Sequence, residues 1–296
     1  MTAAEAGPVE SPAEAGPGES EGTSLRFGYG TNGFANHRLS EALAVIAELG
    51  YVGVALTLDH NHLDPFGPDL PARTAEVARV LARYDLAVVI ETGGRYVLDP
   101  RRKHEPTLLH TDGAERRIAL LQRAVDIAAV LGAEAVSFWS GTLPPGVSPD
   151  VGWSRLVAGC AEIATYAEAR QVPLGFEPEP GMLVDDLAGY LKLQAEVQPL
   201  GLTLDIGHLR CNEMMPPSEC VALAAPYLVN VQIDDMRRGV HEHLEFGTGE
   251  VDFPPVLRAL RDAGYAGLVA VELPRHSHAA PVVAQQSIDF LRAAAS

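Results

Sequence analysis

Two hydrophobic periods alternate along this chain. Short runs in which almost every residue is apolar recur near residues 25–29, 53–58, 87–92, 134–139, 173–177, 201–206, 228–234 and 267–272. Such runs predict strands buried on both faces. Between them, near 38–49, 70–84, 114–131, 151–170, 184–197, 218–225, 254–263 and 280–294, apolar residues return at helical spacing, which predicts amphipathic helices. Ser148 and Asp150 before the fourth helix and Gly132 after the third supply the expected capping residues. Strands alternating with helices pair in parallel through right-handed crossovers. Eight such units close into a single α/β domain, a (β/α)8 TIM barrel.

An open doubly wound sheet is the competing architecture. Its support is GYGTNG, where Gly28, Gly30 and Gly33 match a dinucleotide-binding fingerprint and Asp59 follows. Only Leu25, Arg26 and Phe27 precede the first glycine after a polar leader, and the helix starts near residue 38, not among the glycines. The run therefore reads as a glycine-rich strand-to-helix turn.

Residues 1–23 break the alternation. They are Ala, Glu, Pro, Gly and Ser with almost no large apolar side chain, too little burial to offset ordering entropy, so a disordered acidic tail is expected before a barrel over residues 24–296. Five glutamates and no base lie in this leader, and the whole chain carries a formal charge of −17. A nucleic-acid binder needs a basic footprint, so nucleic acid is not expected as a partner. The local exception is Arg101, Arg102, Lys103 and His104, which with Arg95 suggests an anionic substituent on a small substrate. No stretch reaches the roughly 20 apolar residues of a membrane span. The N-terminus has neither a basic start nor an apolar core, and a cytoplasmic location without membrane contact is expected. Cys160, Cys211 and Cys220 form no paired framework.

The chemistry is concentrated where the apolar runs end, which in such barrels is the active-site face. The expected strand ends carry Thr31 and Asn32, Asp59 and His60, Glu91 and Thr92, Trp139 and Ser140, Glu177 and Glu179, Asp205 and His208, Gln232, Asp234 and Asp235, and Glu272. Glu177, Asp205 and Glu272 each follow a buried run, where an uncompensated charge is costly. Converging carboxylates repel unless a cation sits between them. A divalent metal ion resolves that repulsion.

These motifs, GFEPEP, TLDIGH, VNVQIDD with HEHLEFGTGE, and VAVELP, identify the chain from Leu25 onward as similar to the xylose isomerase-like TIM-barrel superfamily. It resembles most the sugar phosphate isomerase and epimerase branch with its ketose 3-epimerases, inosose isomerases and dehydratases, and endonuclease IV enzymes. The resemblance implies metal ligands at Glu177, Asp205 and Glu272, with Gln232 standing where the family usually has a histidine. An all-oxygen set of that kind favours Mn²⁺ or Mg²⁺, with Zn²⁺ or Co²⁺ as further options. The resemblance also implies Glu177 and Glu272 as the catalytic proton carriers. Substrate contacts are expected from His208, from Arg237 or Arg238, and from His243 before the G-x-G-E run. Trp139, suited to stacking on a sugar face, and Glu91 complete that expected set. His241 and His243 match the spacing that holds an additional zinc in endonuclease IV, but strands three and four lack the metal histidines of that branch.

The expected activity is metal-dependent isomerisation or epimerisation of a ketose, sugar phosphate or cyclitol ketone. The alternatives are a lyase or hydrolase on the same site, a dehydratase before a nuclease, and a non-catalytic metabolite-binding barrel. Homo-oligomers are common among related barrels and are expected as an option here.

Overall fold

The structure is a computed structural model that describes residues 24–296; the acidic leader of residues 1–23 lies outside the described residues. The strands and helices follow in the order β1 (Arg26–Gly30), α1 (Leu39–Glu48), β2 (Gly53–Thr57), α2 (Leu70–Arg83), β3 (Ala87–Glu91), α3 (Ala114–Leu131), β4 (Val136–Trp139) and α4 (Pro149–Glu168). The second half continues with β5 (Leu174–Glu177), α5 (Leu187–Glu196), β6 (Gly201–Asp205), α6 (Ile206–Asn212), α7 (Pro217–Ala224), β7 (Leu228–Ile233), β8 (Asp235–Arg237), β9 (Val240–Leu244), α8 (Phe253–Asp262), β10 (Leu268–Val271) and α9 (Ala280–Ala295). Eight parallel strands close a barrel in the order β1, β10, β7, β6, β5, β4, β3, β2, and the open doubly wound sheet is thereby excluded. Gly28 and Gly30 belong to β1 itself, and a short 3₁₀ turn over Thr31–Phe34 follows.

Burial explains these elements. On α3, Leu120, Leu121, Ala124, Val125, Ile127 and Ala128 form the buried face, and each large side chain removed from water contributes about 1.5–3 kcal/mol. Gly132, at φ 63°, ends that helix in the left-handed conformation glycine adopts freely. Ser148 caps α4 by accepting from the Val151 N–H at 3.4 Å. Both signals are those predicted from sequence.

Two elements go beyond the expected alternation. Helix α6 starts directly at the end of β6, because the Asp205 side chain caps it by accepting from the His208 N–H at 2.8 Å. After β7 the chain makes an antiparallel hairpin of β8 and β9, paired from Asp235 with Leu244 to Arg237 with Val240. The turn is closed by Gly239 at φ 68°.

Strand register positions the site. Trp139 pairs with Glu177 across β4 and β5, and Asp205 pairs with Gln232 across β6 and β7. Thr57, Glu91 and Ser137 are register neighbours on β2, β3 and β4. No helix among the described residues is long and apolar enough to cross a membrane.

Candidate active site

A cavity of about 450 Å³ opens at the C-terminal ends of the strands, lined among others by Asn32, Glu91, Trp139, Glu177, Glu179, His208, Gln232, His241, His243 and Glu272. Each side chain is placed by its element. Glu177, the last residue of β5, is buried, and its Oε2 accepts a hydrogen bond from the Ser137 hydroxyl at 3.4 Å. Glu272 follows β10, with its Oε1 accepting from Asn32 Nδ2 at 3.2 Å. Two strands, β7 and β6, separate β10 from β5 in the barrel, so the two glutamates enter the mouth from different sides.

Asp205 shows why the D-x-x-H spacing works. Its Oδ1 is committed to the helix-capping bond, which leaves Oδ2 buried without a hydrogen-bond partner. The first turn of α6 then brings His208 back beside it, with Nε2 4.0 Å from Asp205 Oδ2. His208 Nδ1 donates to the Pro178 carbonyl at 3.1 Å in the tautomer that leaves Nε2 as an unpartnered lone pair. Burial lowers this imidazole to about pKa 4, so it is neutral at physiological pH.

Polar residues alternate along β7 and into the position just past it, and Gln232 among them lines the cavity. Asn230, Gln232 and Asp234 are all buried, and alternate residues of a strand share a face. Asn230 donates to Glu91 Oε1 at 3.3 Å and lies 3.4 Å from Thr203 Oγ1. Gln232 Oε1 is buried and unpartnered. Asp234 is fully buried, with a carboxylate oxygen against His243 Nδ1.

These groups are of the kind that hold a cation. One ligand atom from each of Glu177, Asp205 and His208 lies within 4.8 Å of the others, and the same holds for Asp205, His243 and Glu272, and for His208, His241 and His243. A buried acceptor without a donor costs about 1–3 kcal/mol; here Asp205 Oδ2 and Gln232 Oε1 are both in that condition. The donor set therefore fits a divalent ion.

The electrostatics agree with that reading. Burial, followed by repulsion from Glu272 and Glu179, holds Glu177 well above the usual carboxylate range. Burial likewise raises Glu272 and Glu91 to about 8 and Glu179 to about 7. A carboxyl raised in the folded state keeps its proton after the unfolded chain has lost it, near pH 4.3. Stability of the metal-free protein should fall as pH rises through this interval to about 8. The depressed His208 acts oppositely, withdrawing stability as pH falls below about 6.5. The four raised carboxyls outweigh the one imidazole, so thermal melts after chelation should fall by several degrees from about pH 5 toward about pH 8.5, with Mn²⁺ restoring the loss. A flat profile would show that these carboxyls are not strained by burial.

The expected substrate contacts are distributed unevenly. His208, His243, Trp139 and Glu91 line the cavity. The Trp139 ring is supported by the buried Arg117, whose guanidinium carbon lies 4.7 Å from the ring centroid, and by the His104 ring at 5.2 Å. Arg237 and Arg238 do not line the cavity. Three-residue β8 and the Gly239 turn carry them to the outer side of the hairpin, where Arg237 donates to the Thr248 carbonyl at 2.8 Å and Arg238 to the Glu213 carbonyl. The cations that do line the cavity are Arg95, Lys103 and Arg275, and Arg275 is paired with Glu242 at 3.0 Å.

Sequence reasoning gave no role to Asp234, Asn230 or Asp235. The first two carried a readable signal, polar side chains at every second position of a buried strand. Asp235 is explained by the G-x-G run: its carboxylate accepts from the N–H groups of Gly247 at 2.9 Å, Gly249 at 2.8 Å and Val251 at 3.0 Å. A Cβ on Gly249 would meet Asp235 Oδ1 at 2.3 Å, which is why the loop needs glycine there.

A model of the xylose isomerase-like TIM barrel matches residues 43–294. The chain belongs to that family. Among relatives, an uncharacterized protein of Methanocaldococcus jannaschii is 23% identical over 265 residues, covering 84% of this chain and 83% of the relative. The D-allulose 3-epimerase of Methylomonas sp. superposes with a TM-score of 0.73 at 20% identity, covering 91% of this chain and 98% of that one. The 3-keto-D-glucoside 4-epimerase of E. coli gives 0.74 at 18% identity, covering 91% and 100%. At these identities the superpositions establish the shared barrel.

Proposed function

We propose that this protein is a divalent-metal-dependent sugar epimerase or isomerase, acting at the carbon next to the carbonyl of a ketose or cyclitol ketone. The observation that carries the reading is the pair of buried, unpartnered oxygens, Asp205 Oδ2 and Gln232 Oε1, on β6 and β7, the two strands that lie between those of Glu177 and Glu272. Similarity to barrels described as a D-allulose 3-epimerase and a 3-keto-D-glucoside 4-epimerase supports the substrate class.

Glu177, Asp205 and Glu272, with the amide oxygen of Gln232, would hold the ion. Bound there, a divalent cation supplies Lewis acidity to a substrate carbonyl and so acidifies the adjacent C–H. The protein's own part is proton transfer. Glu177 and Glu272 enter from different sides of the mouth, so one carboxylate removes the proton and the other returns one to the opposite face, which inverts that carbon. Ser137 orients Glu177, and Asn32 orients Glu272. His208, neutral and with Nε2 free, accepts a hydrogen bond from a substrate hydroxyl. Trp139, held by Arg117, forms an apolar wall for a sugar carbon face.

Incubation of the Mn²⁺-supplemented protein with a panel of ketoses and inososes in D₂O, followed by proton NMR, tests the reading. One deuterium should enter at a single carbon beside the carbonyl as the epimer or isomer appears. Absence of exchange across the panel, with metal bound, would contradict it.

A further inference from the structure

We propose that His243 supplies the imidazole ligand of the metal centre, reaching in from the β8–β9 hairpin, with Asp234 as the residue that positions it. This deepens the metal-dependent reading above and rests on it.

The first observation is geometric. A nitrogen of His243 lies within 4.8 Å of carboxylate oxygens of both Asp205 and Glu272. Ligand atoms about 2.1 Å from one ion stand at most about 4.2 Å apart, so side-chain adjustments of roughly half an ångström would let all three share it. The barrel strand itself offers only an amide at this place, because Gln232 pairs in register with Asp205.

The second observation is the arrangement behind the ring. Asp234 is fully buried and lies two residues after Gln232, with its carboxylate against His243 Nδ1. A carboxylate on one ring nitrogen fixes the tautomer, makes the other nitrogen a better donor, and recurs behind metal-bound histidines. Nδ1 and Oδ2 are in contact without a formed hydrogen bond; a small turn of the ring would complete it and leave Nε2 to the ion. Room for Asp234 depends on Gly207 in α6, where a Cβ would stand 1.9 Å from Asp234 Oδ1.

The third observation is rigidity. A hairpin is a poor platform for a ligand unless it is tied down. Asp235 begins this one and gathers the three N–H groups of Gly247, Gly249 and Val251. Glu250 adds a tie, accepting from the Arg238 N–H at 3.2 Å and from Arg210 of α6. His243 is therefore delivered by an anchored loop, and the ligand set contains nitrogen.

Titration of the chelator-stripped protein with Co²⁺, read by visible absorption, is paired with electron spin-echo spectra of the Mn²⁺-loaded protein. The wild type should bind one ion and show a ¹⁴N coupling from imidazole. His243→Gln should weaken Co²⁺ binding at least 10-fold and abolish that coupling, and His208→Gln should retain it. Asp234→Asn should weaken binding 10- to 100-fold, while circular dichroism shows the fold retained. An unchanged affinity and coupling in His243→Gln would overturn the proposal while leaving the metal reading intact. So would a wild type holding two ions of which His243→Gln loses only the second. Failure of the wild type to bind any ion would overturn the metal reading itself.

Discussion

Glu177→Gln and Glu272→Gln should each reduce kcat by at least about 10³-fold, because each removes a general acid–base group worth roughly 10²–10⁴ and also alters the metal set. Glutamine keeps the shape and one oxygen acceptor, so the hydrogen bonds from Ser137 and Asn32 can persist and the barrel should remain folded. Removing a carboxylate that burial and its neighbours hold above its usual range relieves repulsion in the metal-free protein. Both variants should therefore melt at or above the wild-type temperature after chelation, while turnover is lost. The two can be told apart in D₂O. If one carboxylate removes the proton and the other returns it, one variant will fail to exchange the substrate's proton from one epimer only, and the other variant from the opposite epimer. Equal residual activity in both directions, close to wild type, would remove the two-carboxylate mechanism.

The second large effect is structural. Asp235→Ala should destabilise the protein by roughly 3 kcal/mol, because it leaves the partly buried N–H groups of Gly247, Gly249 and Val251 without an acceptor, at about 1–3 kcal/mol for each group left unpaired. The loss should be local before it is global. Hydrogen exchange should rise first across residues 235–251, and metal affinity should fall with it, since His243 is carried by this hairpin. Asp235→Asn retains one oxygen acceptor and should fall between wild type and alanine. A urea denaturation midpoint for Asp235→Ala equal to that of the wild type would show that the G-x-G run does not depend on this carboxylate.

Much of the barrel is legible from residue pattern because its strands are buried on both faces, so their apolar runs stand out from the amphipathic helices. The acids that follow those runs are legible for the same reason: Glu177, Asp205 and Glu272 are polar groups where the local pattern demands apolar ones. Asn230, Gln232 and Asp234 form a comparable signal along β7 and the residue just past it, visible as alternation within a buried run. The hairpin was not legible. Its strands are short, β8 having three residues, their polar positions fit a loop equally well, and the pairing has an irregularity between Asp235 and Arg237. Without the hairpin, the spacing after β7 points to Arg237 and Arg238 as substrate ligands, whereas the Gly239 turn directs them outward and Arg275 lines the cavity instead. Helix α6 was missed because it begins within the D-x-x-H motif and contains Gly207, a poor helix former; its start is set by the Asp205 cap. The approach of His243 to Asp205 and Glu272 depends on how the hairpin folds back over the mouth, which no local pattern encodes.

Metal-dependent chemistry in this barrel requires a divalent ion among Glu177, Asp205 and Glu272. Elemental mass spectrometry of protein purified without chelator or added metal, repeated on Glu272→Ala, addresses this directly. About one Mn, Mg, Co or Zn per wild-type chain, lost in the variant, is the predicted result. A wild type that carries no metal and takes up none on incubation with Mn²⁺ would contradict a metal-dependent epimerase and leave a metabolite-binding barrel in its place.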